Sequence, residues 1–224
     1  MTRTGFVILT APRSGSEHLC SLLHSHPNVV CHREIFNSYC LVSELPRHHN
    51  DEWEPSRRYT HTSEFLDCLQ GLSFGLKESV LVSGWKHFTT HHPAGLDYAI
   101  ENSYSFILLR RRSMLSSYIS YQQAKLSGVW NQKVGKAQFA PSRMRLDLDA
   151  FFAYRRDLIA SWEPLLDRLS GLPKFCCWSE EIDVRVGEIL SFLGVPDSGA
   201  SSLKSGRTRQ ILVPYPDFIA NYSE

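Results

Sequence analysis

The sequence lacks the features that mark membrane, secreted and metal-binding proteins. None of its apolar runs approaches the ~20 residues that a membrane-spanning helix needs. Its six cysteines form no CxxC pair, which argues against a zinc site and a disulfide framework. The apolar segment near the N-terminus is too short for a secretory signal and is followed at once by charged residues. We therefore expect a cytoplasmic protein with no bound metal and no transmembrane segment.

The sequence also lacks a strong net charge, internal repeats and low-complexity tracts. A formal net charge of +1 does not supply the broad basic field on which nucleic-acid binding relies. The 42% hydrophobic and 21% charged fractions match those of soluble globular proteins. With 224 residues, the chain 1–224 is predicted to form one domain. A homo-oligomer remains open.

Short apolar runs alternate with segments of helical periodicity along the whole chain. Residues 5–11 form a nearly continuous apolar run, typical of a strand that is covered on both faces. Residues 150–170 form the clearest amphipathic helix, with one apolar stripe predicted to be buried. Residues 44–62 and 127–147 have no period and are predicted to be mobile loops. The pattern predicts an α/β fold in which helices flank a central parallel sheet, as in P-loop proteins.

The turn after the first predicted strand has the composition of an anion-binding loop. A strand, a turn of small residues and a helix together direct backbone N–H groups at one point. Gly15 allows close approach of a ligand, Ser14 and Ser16 offer hydroxyl groups, and Arg13 supplies a cationic fork. The loop lacks the GxxxxGK[ST] pattern of nucleotide triphosphatases, and Glu17 would oppose a triphosphate. Taken alone, this stretch is equally compatible with an ordinary turn.

Three consecutive arginines, Arg110, Arg111 and Arg112, end another apolar run. Crowded cations are costly unless an anion compensates them, and ligands bind at the carboxyl ends of strands in open α/β sheets. A solvated basic corner is the alternative interpretation, since most charge runs are exposed. The position of the arginines opposite the first loop favours a second anion site.

Several segments together resemble the sulfotransferases that use 3′-phosphoadenosine 5′-phosphosulfate (PAPS). The likeness is greatest to the bacterial carbohydrate branch, which includes trehalose and nodulation-factor sulfotransferases. The resemblance implies transfer of a sulfuryl group from PAPS to a hydroxyl of a carbohydrate or glycolipid, leaving adenosine 3′,5′-bisphosphate (PAP). The segments that carry it are "TAPRSGSEHLCSLLHSHPNVVCHREIFN", "SGWKHF", "ILLRRRSMLSSYIS", "SGVW", "SEEI" with "EILSFLGV", and "IANY".

The resemblance also implies which residues hold the donor. The loop from Arg13 through Ser14 and Gly15 to Ser16 would hold the 5′-phosphosulfate, although Glu17 replaces the threonine usual in the family. Arg111 and Ser120 are the preferred pair for the 3′-phosphate. The register of the arginine run leaves two other pairs open, namely Arg110 with Ser117 and Arg112 with Ser120.

The resemblance assigns the catalytic roles to Glu34, Lys86 and Arg13. Glu34 would be the general base that takes the proton of the acceptor hydroxyl. Lys86 would neutralise the charge on the transferring sulfuryl group or orient the acceptor, and Arg13 would stabilise the bridging oxygen as the nucleotide departs. An ion pair between Glu34 and the neighbouring Arg33 at the surface is the alternative for the glutamate. His32 and His87 could serve in acid–base chemistry or equally in packing.

Two further groups of residues are candidates at the border of the site. Basic residues near the C-terminus would fold over the 3′ side of the nucleotide or form a solvated tail: Lys204, Arg207 and Arg209. Tryptophans near the two long loops would suit stacking on a sugar or an aromatic acceptor, although single tryptophans usually serve in packing: Trp53, Trp85 and Trp130.

Two other function classes compete with the sulfotransferase. A P-loop kinase or nucleotide hydrolase would need the missing lysine and a carboxylate that holds magnesium. A non-catalytic nucleotide-binding module would keep the anion pocket without the chemistry, and the presence of Glu34 and Lys86 argues against it.

Overall fold

Five parallel strands form the centre of the fold in the computed structural model, which describes residues 4–136, 140–196, 203–207 and 214–222, apart from the side chain of Arg47. All strand pairs are parallel, in the order β2-β3-β1-β4-β5. This sheet, flanked by helices, confirms the predicted α/β class. The strands are β1 (Thr4–Thr10), β2 (Val29–Cys31), β3 (Val82–Phe88), β4 (Ser105–Arg110) and β5 (Lys174–Trp178).

Helices connect the strands and follow the last of them. Ser113 caps the helix Met114–Ser127 (α6) as predicted, because its hydroxyl accepts a hydrogen bond from the backbone N–H of Ser116 at 3.1 Å. Across the described ranges, none of the helices combines the length and apolar character needed to cross a membrane. The helices are α1 (Ser16–His24), α2 (Arg47–Asn50), α3 (Pro55–Thr60), α4 (Thr62–Ser73), α5 (Ala94–Glu101), α6 (Met114–Ser127), α7 (Leu148–Arg168) and α8 (Ile182–Phe192), with 3₁₀ turns at Ser179–Glu181 and Tyr215–Asp217.

Each face of the sheet is covered by its own apolar layer. Phe6 and Ile8 of β1 face a layer to which α1 and α8 contribute. The alternate residues, Val7 and Leu9, face the opposite layer, to which α4, α5 and α7 contribute. Since successive side chains of a strand point to opposite faces, burial of all four residues follows from helices on both sides.

The segment over 44–62 differs from the loop predicted for it, because it contains α2 and α3. Trp53 packs on Phe65 of α4, and the buried guanidinium of Arg58 donates to the carbonyl of Asn37 at 3.0 Å. These contacts anchor the segment over the second apolar layer. The prediction of an irregular structure is therefore wrong here, whereas the mobility stays a prediction.

The apolar stripe predicted for residues 150–170 is buried over only part of its length. Trp162 lies in the core, but Phe152 is 58% exposed. The first half of α7 runs past the sheet and packs on aromatic residues of α6, as in the contact between Phe151 and Tyr118. The prediction of a continuous buried stripe is therefore wrong at Phe152.

The loops that follow the first four strands emerge at one edge of the sheet, called the carboxyl edge below. The last residue of β1, Thr10, pairs in register with Phe88 of β3 and Leu109 of β4. Its hydroxyl also donates to the carbonyl of Leu109 at 2.9 Å. Parallel strands with aligned ends place their following loops side by side.

Gly84 allows β3 to lie close to β1, because it has no Cβ atom. A Cβ atom at this position would lie 2.2 Å from the carbonyl oxygen of Phe6 and 2.5 Å from its ring. We expect Gly84→Ala to lower the free energy of unfolding by about 1–3 kcal/mol or more, since the backbone of β1 cannot move without disturbing the sheet. Urea denaturation followed by circular dichroism measures the change.

Gly71→Ala is the matched control, since Gly71 lies in α4 and an added Cβ would meet nothing within 4 Å. It should raise stability by about 0.5–1 kcal/mol through helix propensity. Equal stability of the Gly84→Ala protein and the unaltered protein would contradict the close approach of the two strands.

Candidate functional site

The loop after β1 turns back sharply through two residues with left-handed backbone conformation. Arg13 has φ of 67° and Gly15 has φ of 75°. A positive φ is unfavourable for arginine, which indicates that surrounding contacts hold the loop. Ser14 and Ser16 are both buried within it. Backbone N–H groups at the start of a helix lack acceptors within the helix and suit an anion. In α1 the N–H groups of His18 and Leu19 already donate to the carbonyl of Gly15 at 3.0 and 3.2 Å, so the N–H groups before them are the candidates for binding an anion.

Arg13 and residues of α6 form a second feature at the carboxyl edge. The Nε and Nη2 atoms of Arg13 donate to the hydroxyl of Ser120 at 3.0 and 2.9 Å. Arg111 donates to the carbonyl of Arg13 at 3.1 Å, and the hydroxyl of Ser117 donates to the same carbonyl at 3.4 Å. The hydroxyl of Tyr154 of α7 interacts with Ser117 and electrostatically with both arginines. These five residues are called the arginine pocket below.

The loop after β1, residues 13–16, is called the anion loop below. Within the arginine run, Arg111 is directed to this loop and its two neighbours are not. The guanidinium of Arg110 lies 4.6 Å from the ring centre of Trp162, over the second apolar layer. Arg112 is exposed and pairs with Glu181. The nearest acidic partner of Arg111 is Glu180, at 3.9 Å. The sequence left three arginine–serine pairs open for the 3′-phosphate. This geometry favours the pair that uses Arg111.

Burial of Arg13 lowers its pKa to about 10, and the positive charge of Arg111 contributes further. The charge of Arg111 disfavours the charged form of Arg13, and a bound anion would offset this effect. The sequence assigned Arg13 and Ser120 to opposite ends of the donor, whereas the structure joins them by hydrogen bonds. Arg13 therefore links the anion loop to α6.

A network of alternating charges lies beside the anion loop, around the buried Lys86. The ammonium group of Lys86 lies 2.9 Å from Glu34 and also hydrogen-bonds Glu17. The side chain of Lys86 is 1% exposed. We call this group the charge cluster. It consists of three cations and three carboxylates: Arg33, Lys86, Arg207, Glu17, Glu34 and Glu44.

Glu34 lies after β2 with one partner on each carboxylate oxygen. Lys86 contacts Oε1, and the side-chain amide of Asn37 donates to Oε2 at 2.9 Å. Burial by itself raises the pKa of Glu34, but the charge of Lys86 and the hydrogen bonds from Lys86 and Asn37 outweigh it and lower the pKa. The carboxylate is therefore ionised at neutral pH and is able to accept a proton. Its direct cationic partner is Lys86, while Arg33 pairs with Glu17 and Glu44.

The two histidines singled out in the sequence are buried in the fold. His32 hydrogen-bonds the hydroxyl of Ser73 at 2.7 Å and accepts from the backbone N–H of Glu44 at 3.1 Å. His87 packs edge-on against Phe36. Burial is the main cause that lowers the pKa of each histidine to about 3. Both are thus neutral at physiological pH, and their contacts fit the packing interpretation.

The tryptophans predicted to stack on an acceptor have different environments. Trp53 and Trp85 are buried in the second apolar layer, so for both the packing alternative is correct and stacking on an acceptor is not. Trp130 is 46% exposed and packs edge-on against Tyr121. Its backbone carbonyl accepts a hydrogen bond from Arg13. A role in acceptor binding stays a prediction for Trp130.

The C-terminal basic segment lies along α1. The backbone N–H of Gly206 donates to the hydroxyl of Ser21 at 2.8 Å, and that of Lys204 donates to Ser25 at 3.2 Å. Arg207 reaches Glu17 with a separation of 3.7 Å and is only 10% exposed in its side chain. The solvated-tail interpretation is therefore wrong for Arg207. Arg209 lies outside the described residues.

Sequence reasoning missed Tyr154 and the partners of Glu17. Tyr154 belongs to an amphipathic helix, where a tyrosine is ordinarily read as packing. Glu17 stood out only as a departure from the family pattern. Its cationic partners come from β3, the loop after β2 and the C-terminal segment, so no local pattern could have identified them.

Known proteins resemble this chain in sequence and in fold. No family model matches the chain. Nodulation protein H of Rhizobium tropici is 28% identical over 142 residues, which are 62% of this chain and 51% of that protein. The chain thus spans about half the length of the curated relative that it matches.

Solved structures of sulfotransferases share the fold. The sulfotransferase domain from the curacin biosynthetic pathway has a TM-score of 0.56 at 17% identity, covering 87% of this chain and 75% of its own. A sulfotransferase from Alicyclobacillus acidocaldarius has a TM-score of 0.53 at 14% identity, with 97% and 89% covered. Mouse sulfotransferase SULT7A1, complexed with PAP, has a TM-score of 0.50 at 12% identity, with 99% and 72% covered. These findings confirm the predicted resemblance to sulfotransferases.

Proposed function

We propose that this chain is a sulfotransferase that moves a sulfuryl group from PAPS to a hydroxyl of a carbohydrate or glycolipid acceptor. The observation that carries the proposal is the convergence of the anion loop, the arginine pocket and the pair of Glu34 with Lys86 at one edge of the sheet. The sulfotransferase fold and the likeness to nodulation protein H support it. Six free cysteines favour a reducing compartment, consistent with a cytoplasmic enzyme.

We assign the two anion-binding features to the two ends of PAPS, and the mouse protein that shares the fold was solved in complex with PAP. Ser14, Gly15 and Ser16, with the backbone N–H groups of α1, would bind the 5′-phosphosulfate. Arg111 and Ser120 would bind the 3′-phosphate. Arg13 touches both features, since it belongs to the loop and donates to Ser120.

The proposed reaction needs a base for the acceptor and positive charge for the leaving nucleotide. Glu34 would accept the proton of the hydroxyl while the hydroxyl oxygen forms its bond to sulfur. The bond between sulfur and the phosphate oxygen breaks, and its electron pair leaves with PAP. Lys86 and Arg13 would offset the negative charge that develops on that oxygen. Positioning and charge neutralisation by side chains would supply the rate enhancement.

Calorimetry with PAP and a turnover assay with radiolabelled PAPS test the proposal on the whole chain. We expect PAP to bind saturably, ATP with magnesium not to compete, and label to move to at least one member of a panel of sugars and glycolipids. Absence of heat with PAP, or preference for ATP with magnesium, would contradict the donor assignment. Binding of PAP without turnover on any acceptor would favour a non-catalytic module.

A further inference from the structure

Glu17 occupies the first turn of the helix that follows the anion loop and contacts three cations. Its Oε1 atom hydrogen-bonds the ammonium of Lys86. Its Oε2 atom lies 3.6 Å from Arg33 and 3.7 Å from Arg207. The carboxylate is largely buried, with its side chain 17% exposed. A buried carboxylate at this point brings negative charge into a site that is proposed to bind anions.

The ammonium that Glu17 contacts is the same one that holds Glu34. Lys86 therefore has two carboxylate partners, one on α1 and one in the loop after β2. Burial by itself lowers the pKa of Lys86, but the charges of Glu17 and Glu34 raise it, so the group stays protonated. The attraction between Lys86 and Glu34 does not depend on Glu17, but the negative charge of Glu17 offsets part of the positive field of Lys86 at Glu34.

Other titratable and charged groups also face this pair. Cys20 of α1 interacts electrostatically with Lys86. His91, in the loop after β3, interacts electrostatically with Glu34 and with Arg58 of α3. Burial lowers the pKa of His91 to about 4, so His91 is neutral at physiological pH. Because His91 is uncharged there, Glu17 is the carboxylate that shares Lys86 with Glu34.

We infer that Glu17 is a positioning residue that offsets part of the positive charge of Lys86, keeping Glu34 basic enough to take a proton and weakening the hold of the site on the nucleotide product. This inference rests on the proposed function. With a neutral residue at position 17, the charge of Lys86 acts on Glu34 without that offset and makes Glu34 a weaker base. The anion site also gains one unit of positive charge, which favours PAP.

Glu17→Gln tests the inference, because it keeps the shape and removes the charge. We expect the dissociation constant of PAP, measured by calorimetry, to fall ~5-fold, on the scale of one charge acting across a partly buried site. We also expect the acidic limb of the kcat profile against pH to move to lower pH by about half a unit or more, since Glu34 loses a negative neighbour. Product binding is a readout that does not depend on activity.

Glu64→Gln is the matched control. Glu64 is an exposed carboxylate that pairs with Arg57 at 3.4 Å on the helical segment away from the charge cluster. The same change of net charge there should leave both PAP affinity and the pH profile as in the unaltered protein. An equal response of the two variants would mean that net charge alone is responsible, and it would overturn the inference.

Glu17→Asp provides a second variant that does not depend on how well the glutamine variant folds. It keeps the charge but shortens the side chain by one methylene group, which moves the carboxylate away from Lys86. PAP affinity should stay within about twofold, and the acidic limb should move in the same direction as in Glu17→Gln but less. An acidic limb that does not shift in the aspartate variant would overturn the inference. So would a glutamine variant with unchanged PAP affinity and an unchanged pH profile. Either result would leave the proposed sulfotransferase function intact. An unaltered protein that neither binds PAP nor turns over PAPS contradicts both proposals.

Discussion

The Glu34→Gln protein is expected to lose ~10²- to 10⁴-fold in kcat, the usual contribution of a general base. Glutamine preserves the shape of the side chain and can still accept a hydrogen bond from Lys86, but it cannot take up the proton of the acceptor hydroxyl. PAP affinity should not fall, because Glu34 contacts Lys86 and Asn37 rather than the anion loop. Release of label from PAPS to an acceptor measures the rate, and calorimetry measures the binding.

Glu44→Gln serves as the control for this prediction. Glu44 belongs to the same charge cluster, but it pairs with Arg33 at 3.1 Å instead of Lys86. Removing its charge should therefore change kcat far less than Glu34→Gln does. Full activity of the Glu34→Gln protein would rule out Glu34 as the base, and equal losses in both variants would indicate a general electrostatic effect of the cluster.

Arg111→Ala is expected to weaken PAP binding roughly 30-fold, which corresponds to a charge-assisted contact of ~2 kcal/mol. Arg111 is the member of the arginine run that reaches the anion loop, where it donates to the carbonyl of Arg13. Its loss would remove one of two guanidinium groups at the site and release the loop from that contact. Calorimetric titration with PAP at a fixed salt concentration gives the change.

The neighbouring arginines supply two controls within three residues of sequence. Arg110 packs on Trp162 and Arg112 pairs with Glu181, so neither faces the loop. Arg110→Ala should cost stability through the lost contact with the indole ring, and Arg112→Ala should change little. If either of them weakens PAP binding as much as Arg111→Ala, the assignment of the 3′-phosphate to Arg111 is wrong.

Much of the fold could be predicted from local patterns. The strand of residues 5–11 was recognisable because a run buried on both faces is apolar without alternation, and β1 spans Thr4–Thr10. The cap at Ser113 was recognisable because a hydroxyl before a helix satisfies a free N–H group. The two short helices over 44–62 were missed, since α2 and α3 are held by contacts with α4 and the second apolar layer rather than by a periodicity of their own.

The candidate site could be predicted as a set of residues but not as a network. Glu34, Lys86 and Arg111 each lie at or after a strand end, and parallel strands bring their ends to one edge, so their proximity follows from the topology. The choice of partners does not follow. Nothing local indicates that Arg13 binds Ser120, a residue 107 positions away. Tyr154 was missed for the same reason, since α7 meets α6 only in the folded chain.

The sequence alone was sufficient to indicate an α/β chain, because that class depends on periodicity. The resemblance to sulfotransferases implied the anion loop at residues 13–16 and the roles of Glu34 and Lys86, and the rule that parallel strands share an edge predicted that these segments lie close together. Tertiary folding decided that Arg111 and not its neighbours turns to the loop, that the histidines are buried, and that Glu17 and Glu34 share one ammonium. Side-chain direction and charge pairing depend on contacts between segments far apart in sequence. Such contacts exist only once the sheet has brought those segments together.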